Sequence, residues 1–373
     1  MYYMIYILSI LLLIQTVVLV VFVYQSIRQR YFCNMQKDIL KISLDDFDVI
    51  IAAREDCKII RCCITNVLSV GFKNIILCID GCDDSIYLKI KSEFPSIVLL
   101  NNEKQLGKIK SQKRCLDLSN KENVLILDAD ITLNKDELYG FVSYYINSKV
   151  DFLCPYSIGL YSGGNSLLYS IAETDRYMRQ RVVRAGRDAY GVSNLSGYCM
   201  LCKRIKYINI IDADAIQDDV IATINLLQRK YKVKTYHKAV CSEIERNSFG
   251  SYLMQKTRWT AGNIVLIKSY AKLFESTSLV KAFAFTSSFL LWYWSLWVDF
   301  IAFLFSIIYP PIFIFLVIEG IIKFIGLAFA GRSKNRIFSI LLYLVIWPIF
   351  STMCLILSPY YLMGKIVEQK TRR

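Results

Sequence analysis

Apolar residues are concentrated at the two ends of the 373-residue chain, and a stretch of mixed apolar and polar residues separates them. Residues 1–24 carry no charge, and about 20 apolar residues suffice to cross a bilayer. The features of a signal peptide are absent, so the pattern predicts a retained transmembrane helix over 1–27. A second apolar region, residues 282–373, predicts about three further membrane segments. These are about 283–307, 309–329 and 337–358.

Basic residues predict the orientation of these segments. Arg28, Arg30 and Lys37 follow the first segment and place that side in the cytoplasm. Three further crossings would send the basic carboxyl-terminal tail outside, so either the segment interrupted by Trp347-Pro348 is re-entrant or the tail is an exception. The chain is therefore predicted to be a multi-pass integral protein of the plasma membrane or an equivalent membrane, with its middle part in the cytosol.

Between the apolar ends, short apolar runs alternate with patterns of helical period. Strands are predicted over 47–53, 74–79, 97–100 and 124–127, with helices ending at 68, over 85–93 and over about 109–118. A helix over 220–230 and a strand over 232–236 follow. This alternation implies a parallel sheet with crossover helices, so the fold class is α/β with all-α membrane segments at the ends.

Residues 264–281 place apolar side chains at roughly helical spacing among lysines. This pattern predicts an amphipathic helix lying in the membrane interface. A solvent-exposed helix of the middle domain is the alternative.

The strand at 124–127 ends in the sequence D-A-D. Because successive side chains of a strand point to opposite faces, Asp128 and Asp130 share a face, and the small Ala129 leaves room for a bulky polyanion. Two carboxylates at a strand end can hold a divalent ion, Mg²⁺ or Mn²⁺, against a diphosphate. The alternative is a strand that stops at a solvated turn, since Asp is common in turns.

Polar groups at other strand and helix ends extend this pattern. Asp80 ends the second strand and can accept a hydrogen bond from a base or ribose hydroxyl, while Lys108, at a loop–helix junction, can meet a phosphate. Each residue alone is typical of surface charge. Their repetition at consecutive strand ends predicts a nucleotide site at the carboxyl edge of the sheet.

The formal net charge of +14 is high enough to raise the question of a nucleic-acid partner. The basic residues are dispersed and form no recognisable binding motif, so no nucleic acid is expected, and anionic membrane lipid or a nucleotide diphosphate suits the charge better. One arginine run is compatible with phosphate binding, but its helical spacing favours a solvated face. It consists of Arg176, Arg179, Arg181, Arg184 and Arg187.

Twelve cysteines suggest a disulfide or zinc framework, but their positions argue against both. Only Cys199 and Cys202 have C-x-x-C spacing, and the single histidine, His237, supplies no second ligand pair. Free buried thiols are therefore predicted.

Four motifs together resemble those of the membrane-bound family 2 glycosyltransferases. They are Asp80, the D-A-D at 128–130, the acidic pair at 218–219, and Q-K-T-R-W at 255–259, which fits Q-x-x-R-W. That family includes cellulose, chitin, hyaluronan and poly-N-acetylglucosamine synthases and the related ceramide glucosyltransferases. The resemblance covers about residues 47–263. It implies a nucleotide-sugar-binding, Rossmann-like catalytic domain of the GT-A type, predicted over 45–263.

The sequence departs from the family pattern at three motifs. A-A-R-E-D at 52–56 stands where P-A-R-N-E is usual, so the proline is lost and Asp56 replaces a glutamate. I-D-G at 79–81 keeps one carboxylate of the usual D-D-G, and Q-D-D at 217–219 keeps the final acid of T-E-D. No departure removes a catalytic group, although the nucleotide contacts are expected to differ in detail.

The resemblance also implies a role for each candidate residue. Asp128 and Asp130 would hold the metal ion. Asp219 would be the catalytic base, with Asp218 beside it in the acidic pair. From the Q-x-x-R-W motif, Arg258 would steady the diphosphate and Trp259 would face the acceptor sugar, with Gln255 as the third catalytic candidate. The candidate nucleotide-binding residues are Ala53, Asp56, Asp80, Lys108, Asp128 and Gly197.

The activity that this resemblance implies is inverting transfer of a sugar from a uridine diphosphate sugar to a growing β-linked polysaccharide. Transfer of one sugar to a membrane lipid is the alternative within enzymes. A non-catalytic transporter or receptor is a further alternative, for which Asp299, Glu319 and Lys323 at membrane depth are the only argument. These three residues could line a route for a sugar chain or pair between helices.

Overall fold

The computed structural model describes residues 2–33, 43–54, 57–81, 83–212, 215, 217–289, 295–330 and 336–371. The chain divides into two compact units, each assembled from segments that are distant in sequence. The helical unit contains Met1–Cys33, Tyr161–Tyr190 and Glu245–Arg373. The sheet unit contains Asn34–Leu160 and Gly191–Ile244.

The secondary structure alternates between strands and helices in the middle of the chain and is helical at both ends. The strands are β1 (Phe47–Ala53), β2 (Ile75–Asp80), β3 (Val98–Asn102), β4 (Asn123–Asp128), β5 (Ile131–Leu133), β6 (Phe152–Leu160), β7 (Cys199–Lys203) and β8 (Val233–Ile244). The helices are α1 (Tyr2–Cys33), α2 (Cys57–Ser69), α3 (Asp84–Glu93), α4 (Lys108–Leu118), α5 (Lys135–Ser148), α6 (Ser166–Tyr177), α7 (Ala185–Asp188), α8 (Arg204–Ile208), α9 (Asp218–Gln228), α10 (Phe249–Val265), α11 (Ile267–Ser276), α12 (Leu279–Phe289), α13 (Ser295–Ile308), α14 (Pro311–Ala330) and α15 (Arg336–Thr371). A π-helical stretch, Met178–Arg184, joins α6 to α7.

The sheet unit is built on one mixed sheet in the order β3-β2-β1-β4-β7-β6-β8-β5. Its first four strands pair in parallel, and α2, α3 and α4 connect them, which confirms the predicted parallel arrangement with crossover helices. Strand β7 runs antiparallel to both β4 and β6, and β8 runs parallel to β6. The parallel strands therefore bring Ala53, Asp80, Asn102 and Asp128 to one edge of the sheet.

Strand β4 lies in the centre of this sheet. The four apolar side chains over 124–127 are completely buried, as expected for a strand that is covered on both faces. Val49 and Ile50 of the neighbouring β1 are equally inaccessible. Long apolar runs thus identified the central strands from sequence, with bounds that differ by one or two residues.

The antiparallel half of the sheet is not predicted by the sequence patterns. Strands β5, β6 and β7 are new, and β8 is longer than the predicted 232–236. Pro155 argues against a strand because proline cannot donate to the ladder, but the register of β6 on β8 shifts at Pro155 and Tyr156 and accommodates it. Cys199 and Cys202 both lie in β7, where residues three apart point to opposite faces. They are free buried thiols, as predicted.

The helical unit contains the apolar ends of the chain. Residues Tyr3–Gln29 of α1 and Pro311–Phe329 of α14 are long and apolar enough to cross a membrane. Within α15, Ile337–Trp347 and Ile349–Gly364 form a third candidate, bent by 40° at the predicted interruption. The apolar segment predicted over 283–307 includes residues 290–294, which lie outside the described residues. The number of crossings and the orientation stay predictions.

Residues 264–281 form parts of three helices rather than one. Residues 264 and 265 complete α10, α11 covers Ile267–Ser276, and α12 begins at Leu279. The amphipathic part is α11, in which Tyr270 and Leu273 are buried while Lys268 and Lys272 are exposed. Its location in a membrane interface stays a prediction.

The polar residues that are predicted to lie at membrane depth pair with one another across three helices. Lys323 of α14 lies 3.1 Å from Asp299 of α13 and 2.6 Å from Glu319, one turn earlier on its own helix. The side-chain amide of Gln15, on α1, donates to Asp299 at 2.8 Å and to Glu319 at 2.6 Å. The structure therefore shows that these residues pair between helices, which was one of the two interpretations of the sequence.

The arginine run is not the solvated face that its spacing predicts. Arg176 and Arg187 are only 7% and 8% exposed. Arg176 forms a buried ion pair with Glu245, and Arg187 donates to the backbone oxygen of Phe285 at 2.7 Å. The prediction is wrong for these two residues because acidic and carbonyl partners, distant in sequence, are available inside the helical unit.

Candidate active site

Asp80 organises the loop that precedes α4 in the sheet unit. It is 4% exposed, and it accepts hydrogen bonds from the side-chain amide of Asn102 at 2.8 Å and from the backbone nitrogens of Leu106 and Gly107 at 2.8 and 2.9 Å. Although burial opposes its charge, these hydrogen bonds lower the pKa of the Asp80 carboxyl. Asp80 thus fixes the turn from which Lys108 emerges, and its predicted contact with a nucleotide stays a prediction.

Two glycines permit this turn. Gly81 has a φ of +69°, and a Cβ at this position would lie 2.5 Å from the backbone nitrogen of Gln105. Gly107 has a φ of +94° and is the residue immediately before α4. Because left-handed backbone conformations are costly for residues with a Cβ, both positions favour glycine.

Lys108 lies where residues from three parts of the chain converge. Its ammonium nitrogen is 2.7 Å from Oδ1 of Asp128, at the end of β4, and 4.0 Å from Oδ2 of Asp218, at the start of α9. It also donates to the backbone oxygen of Gly197 at 3.0 Å. Three candidates that are distant in sequence are therefore brought together around one cation.

Gly197 also lies next to this cluster. A Cβ at this position would lie 3.4 Å from the Lys108 nitrogen and 3.7 Å from the Cβ of Asp219. The absence of a side chain leaves the space beside the lysine and the acidic pair open. Asp219 itself accepts from its neighbour, the backbone nitrogen of Val220, at 2.9 Å.

The cluster contains more acidic groups than its lysine can neutralise. Burial raises the pKa of the Asp128 carboxyl to about 6, and Asp130 and Asp218 add to the rise while Lys108 opposes it. Burial also disfavours the charge of Lys108, but Asp128, Asp218 and Asp219 outweigh this effect and raise the pKa of its ammonium group. A further cation would therefore be stabilised here.

The donor set fits a divalent ion that is shared with a substrate. The described part of the chain contains no group of three or more His, Cys, Asp or Glu side chains able to enclose a metal. Mg²⁺, however, commonly binds one or two carboxylates together with substrate phosphates and water. Asp130 is exposed and the side chain of Asp128 is 28% exposed, so these two carboxylates can serve in that way.

The remaining predicted nucleotide residues lie beside β1. Ala53, the last residue of β1, is 1% exposed and belongs to the apolar core. Asp56 lies outside the described residues. Their contacts with a nucleotide stay predictions.

The Q-x-x-R-W residues belong to the helical unit and lie on α10. Arg258 is exposed, whereas Gln255 and Trp259 are partly buried. Two cations lie over the Trp259 ring, with Lys256 at 4.1 Å and Arg179 at 4.9 Å from its centroid. Both cations bond to Asp175, a completely buried residue that no sequence motif indicated. A single Asp among polar neighbours is common in helices, so the sequence does not indicate that Asp175 binds these two cations.

Comparisons with known proteins identify the family of the chain. The model of glycosyl transferase family group 2 matches residues 123–363, more than half of the chain. The poly-beta-1,6-N-acetyl-D-glucosamine synthase of Staphylococcus aureus strain COL is 23% identical in an alignment of 278 residues that covers 70% of this chain and 65% of the synthase. The synthase of strain MSSA476 matches to the same extent. The chain thus spans slightly less than two thirds of the length of these relatives.

A solved structure has the same fold. It is the mannosyltransferase PcManGT from Pyrobaculum calidifontis, in complex with GDP-Man and Mn²⁺, with a TM-score of 0.60 and 14% identity over 95% of this chain and 99% of the other. At this identity the likeness shows the fold alone, which is GT-A. The family match covers more than half of the chain and therefore shows that the chain belongs to glycosyl transferase family group 2.

Proposed function

We propose that this glycosyltransferase moves a sugar, with inversion, from a uridine diphosphate sugar to a growing β-linked polysaccharide. The observation that carries the proposal is the convergence of Lys108, Asp128 and Asp218 at the carboxyl edge of the sheet. Ligands of α/β sheets bind at that edge. The likeness to polysaccharide synthases supports the acceptor class.

The reaction is a single displacement at the anomeric carbon. Asp219 accepts the proton of the acceptor hydroxyl while that oxygen forms the new bond to the anomeric carbon. The bond from this carbon to the diphosphate oxygen breaks at the opposite side, which inverts the configuration. Asp218, adjacent to the base and 4.0 Å from Lys108, adds negative charge that keeps the lysine protonated.

The negative charge that develops on the leaving diphosphate requires compensation. Lys108, held beside the strand end, supplies one positive charge at this place. Asp128 and Asp130 would hold Mg²⁺ or Mn²⁺, which would neutralise a further part of that charge. The Mn²⁺ in the complex of the Pyrobaculum mannosyltransferase supports a divalent ion.

The Q-x-x-R-W residues keep the roles that the family resemblance implies. The exposed guanidinium of Arg258 is suited to steady a diphosphate by charge-assisted hydrogen bonds. Trp259 offers an aromatic face for an acceptor sugar, and Gln255 lies one turn before it on α10. The proposal includes a multi-pass membrane location with the catalytic residues in the cytosol, which the apolar helices and the basic residues after the first segment support.

Product analysis tests the proposed function. The full chain, purified in detergent or nanodiscs, is incubated with Mn²⁺ and each of a panel of labelled nucleotide sugars, and the products are measured by mass spectrometry. We expect one uridine diphosphate sugar to give a ladder of products that is absent in the Asp219→Asn variant. A single sugar on an extractable lipid at every donor concentration would contradict the polymer and favour lipid glycosylation. No transfer from any donor would contradict both.

A further inference from the structure

A completely buried carboxylate in the helical unit binds two cations and no other described hydrogen-bonding group. Asp175, on α6, has an exposure of 0%. Its Oδ2 accepts from Lys256 Nζ at 2.6 Å and from Arg179 Nε at 2.9 Å. Its other oxygen, Oδ1, is buried without a hydrogen-bond partner in the described part of the chain. The hydrogen bonds described for this side chain therefore all go to the two cations.

Both of these cations contact the same aromatic ring. Lys256 Nζ lies 4.1 Å and the Arg179 guanidinium carbon 4.9 Å from the centroid of Trp259. The negative face of an aromatic ring attracts cations, and the attraction increases when water is excluded. The Lys256 side chain is only 6% exposed and that of Arg179 is 27% exposed, so both cations are largely withdrawn from water.

Burying two cations against one indole is unfavourable unless a negative charge accompanies them. Asp175 supplies this charge. Burial opposes ionisation of Asp175, but Arg179 and Lys256 outweigh it and hold the pKa of its carboxyl below the usual value. A neutral side chain at this position would leave two buried like charges beside one ring without a counter-charge, and we expect at least one of them to move away from the ring.

We propose that Asp175 is a positioning residue for Trp259: it holds Lys256 and Arg179 against the indole and thereby fixes the ring that receives the acceptor sugar. Asp175 does not touch the substrate in this mechanism and acts only through the two cations. The part of the proposal that concerns the acceptor rests on the proposed function. The part that concerns the ring does not.

The experiment compares Asp175→Asn with a matched control in the full chain, purified in detergent. Asparagine keeps the shape of the side chain but removes its charge. The control is Glu245→Gln, which removes the carboxylate of the other buried pair on α6, the pair with Arg176. Arg179→Met is a milder second variant, because it removes one cation and leaves the Lys256–Asp175 pair.

Two quantities are measured for each variant. The first is acrylamide quenching of Trp259 fluorescence, obtained as the difference between each protein and the same protein carrying Trp259→Phe. The second is the effect of each substitution on two kinetic constants, namely KM for a short oligosaccharide of the product and kcat. We expect Asp175→Asn to increase quenching of Trp259 and to raise the acceptor KM by about tenfold, the equivalent of one lost cation–aromatic contact, with kcat changed less. Arg179→Met should give smaller changes of both kinds, and Glu245→Gln should give neither.

The outcomes separate this inference from the proposed function. If Asp175→Asn is folded and quenching of Trp259 equals that of the wild type, the positioning role is contradicted. If Asp175→Asn does not fold, unchanged quenching in Arg179→Met contradicts it instead. If quenching rises but no nucleotide sugar is transferred even by the wild type, the positioning of the ring holds and the proposed function fails.

Discussion

The ammonium nitrogen of Lys108 lies 2.7 Å from Oδ1 of Asp128, at the point where the completely buried run of β4 ends. The contact joins the start of a helix to the end of a strand, because Lys108 begins α4 and Asp128 ends the next strand along the chain. Their contact places a fixed positive charge beside a carboxylate whose neighbours are also acidic. Metal binding, proton transfer and nucleotide affinity in the sheet unit are expected to depend on this arrangement and on the turn that supports it.

The first prediction concerns the metal ion. Because Asp130 is exposed and lies outside the apolar core, Asp130→Asn should leave the fold intact. The substitution should weaken the binding of Mn²⁺, since it removes a carboxylate ligand. Transfer activity should fall to background, and Mn²⁺ titration followed by electron paramagnetic resonance should show a weaker site. Asp136→Asn, a substitution in an acidic residue of α5, is the control and should bind Mn²⁺ as the wild type does. Full activity of the wild type in excess chelator would show that the reaction needs no such ion.

The second prediction concerns the base. Asp219→Asn keeps size and hydrogen bonding but cannot take the acceptor proton, so kcat should fall by about two to four orders of magnitude. Nucleotide binding should persist, since the substitution leaves Lys108 and Asp128 in contact. Asp218→Asn is the matched comparison and should retain more activity. A nearly active Asp219→Asn together with an inactive Asp218→Asn would mean that the base is the other member of the pair.

The third prediction concerns the turn before α4. Gly81→Ala would place a Cβ 2.5 Å from the backbone nitrogen of Gln105 at a φ of +69°, and should lower the free energy of unfolding by about 2–4 kcal/mol. Gly107→Ala also adds a Cβ at a positive φ, but no atom of the described residues apart from its chain neighbours lies within 4 Å of this Cβ, so its cost should be about 1–2 kcal/mol. Thermal unfolding of the two variants measures the difference. Equal losses would indicate that the contact with Gln105 relaxes freely.

The fourth prediction concerns pH. Burial and the nearby Arg179 lower the pKa of Lys256 to about 8, although Asp175 and Glu245 act in the opposite direction. Because the pKa of Lys256 is lower in the folded protein than in the unfolded chain, the folded protein binds fewer protons between about pH 8 and the ordinary lysine pKa. The free energy of unfolding contributed by this group therefore rises with pH across this range. The near-ultraviolet circular dichroism of Trp259 should change with a midpoint near pH 8. The Lys256→Met variant should lack this change, and persistence of the change there would assign it to another group.

The sequence predicted the parts of the site that lie within single elements. The run over 124–127 identified β4, and the D-A-D that follows it identified the strand end. Parallel strands β1 to β4 followed from alternation with helices. These features depend on local periodicity, which can be identified from the sequence alone.

The features that depend on distant pairing were not predictable. Nothing in the spacing between Lys108, Asp128 and Asp218 indicates that one lysine contacts both acids, and the sequence predicts only that Lys108 can meet a phosphate. The buried pairing of Arg176 was missed for the same reason, since Glu245 lies far along the chain. Asp175 gave no signal because a polar residue in an amphipathic helix is ordinarily exposed.

The measurement that tests the central claim most directly is calorimetric titration of UDP into the purified full chain in Mn²⁺, compared between the wild type and Lys108→Met. Methionine keeps most of the length of the side chain but removes its charge. The account predicts that UDP affinity falls by about tenfold to a hundredfold in Lys108→Met, the usual worth of a charge-assisted hydrogen bond, and that Lys113→Met, on the same helix, binds UDP as the wild type does. Equal UDP affinity in the wild type and Lys108→Met would contradict the assignment of this edge of the sheet as the nucleotide site.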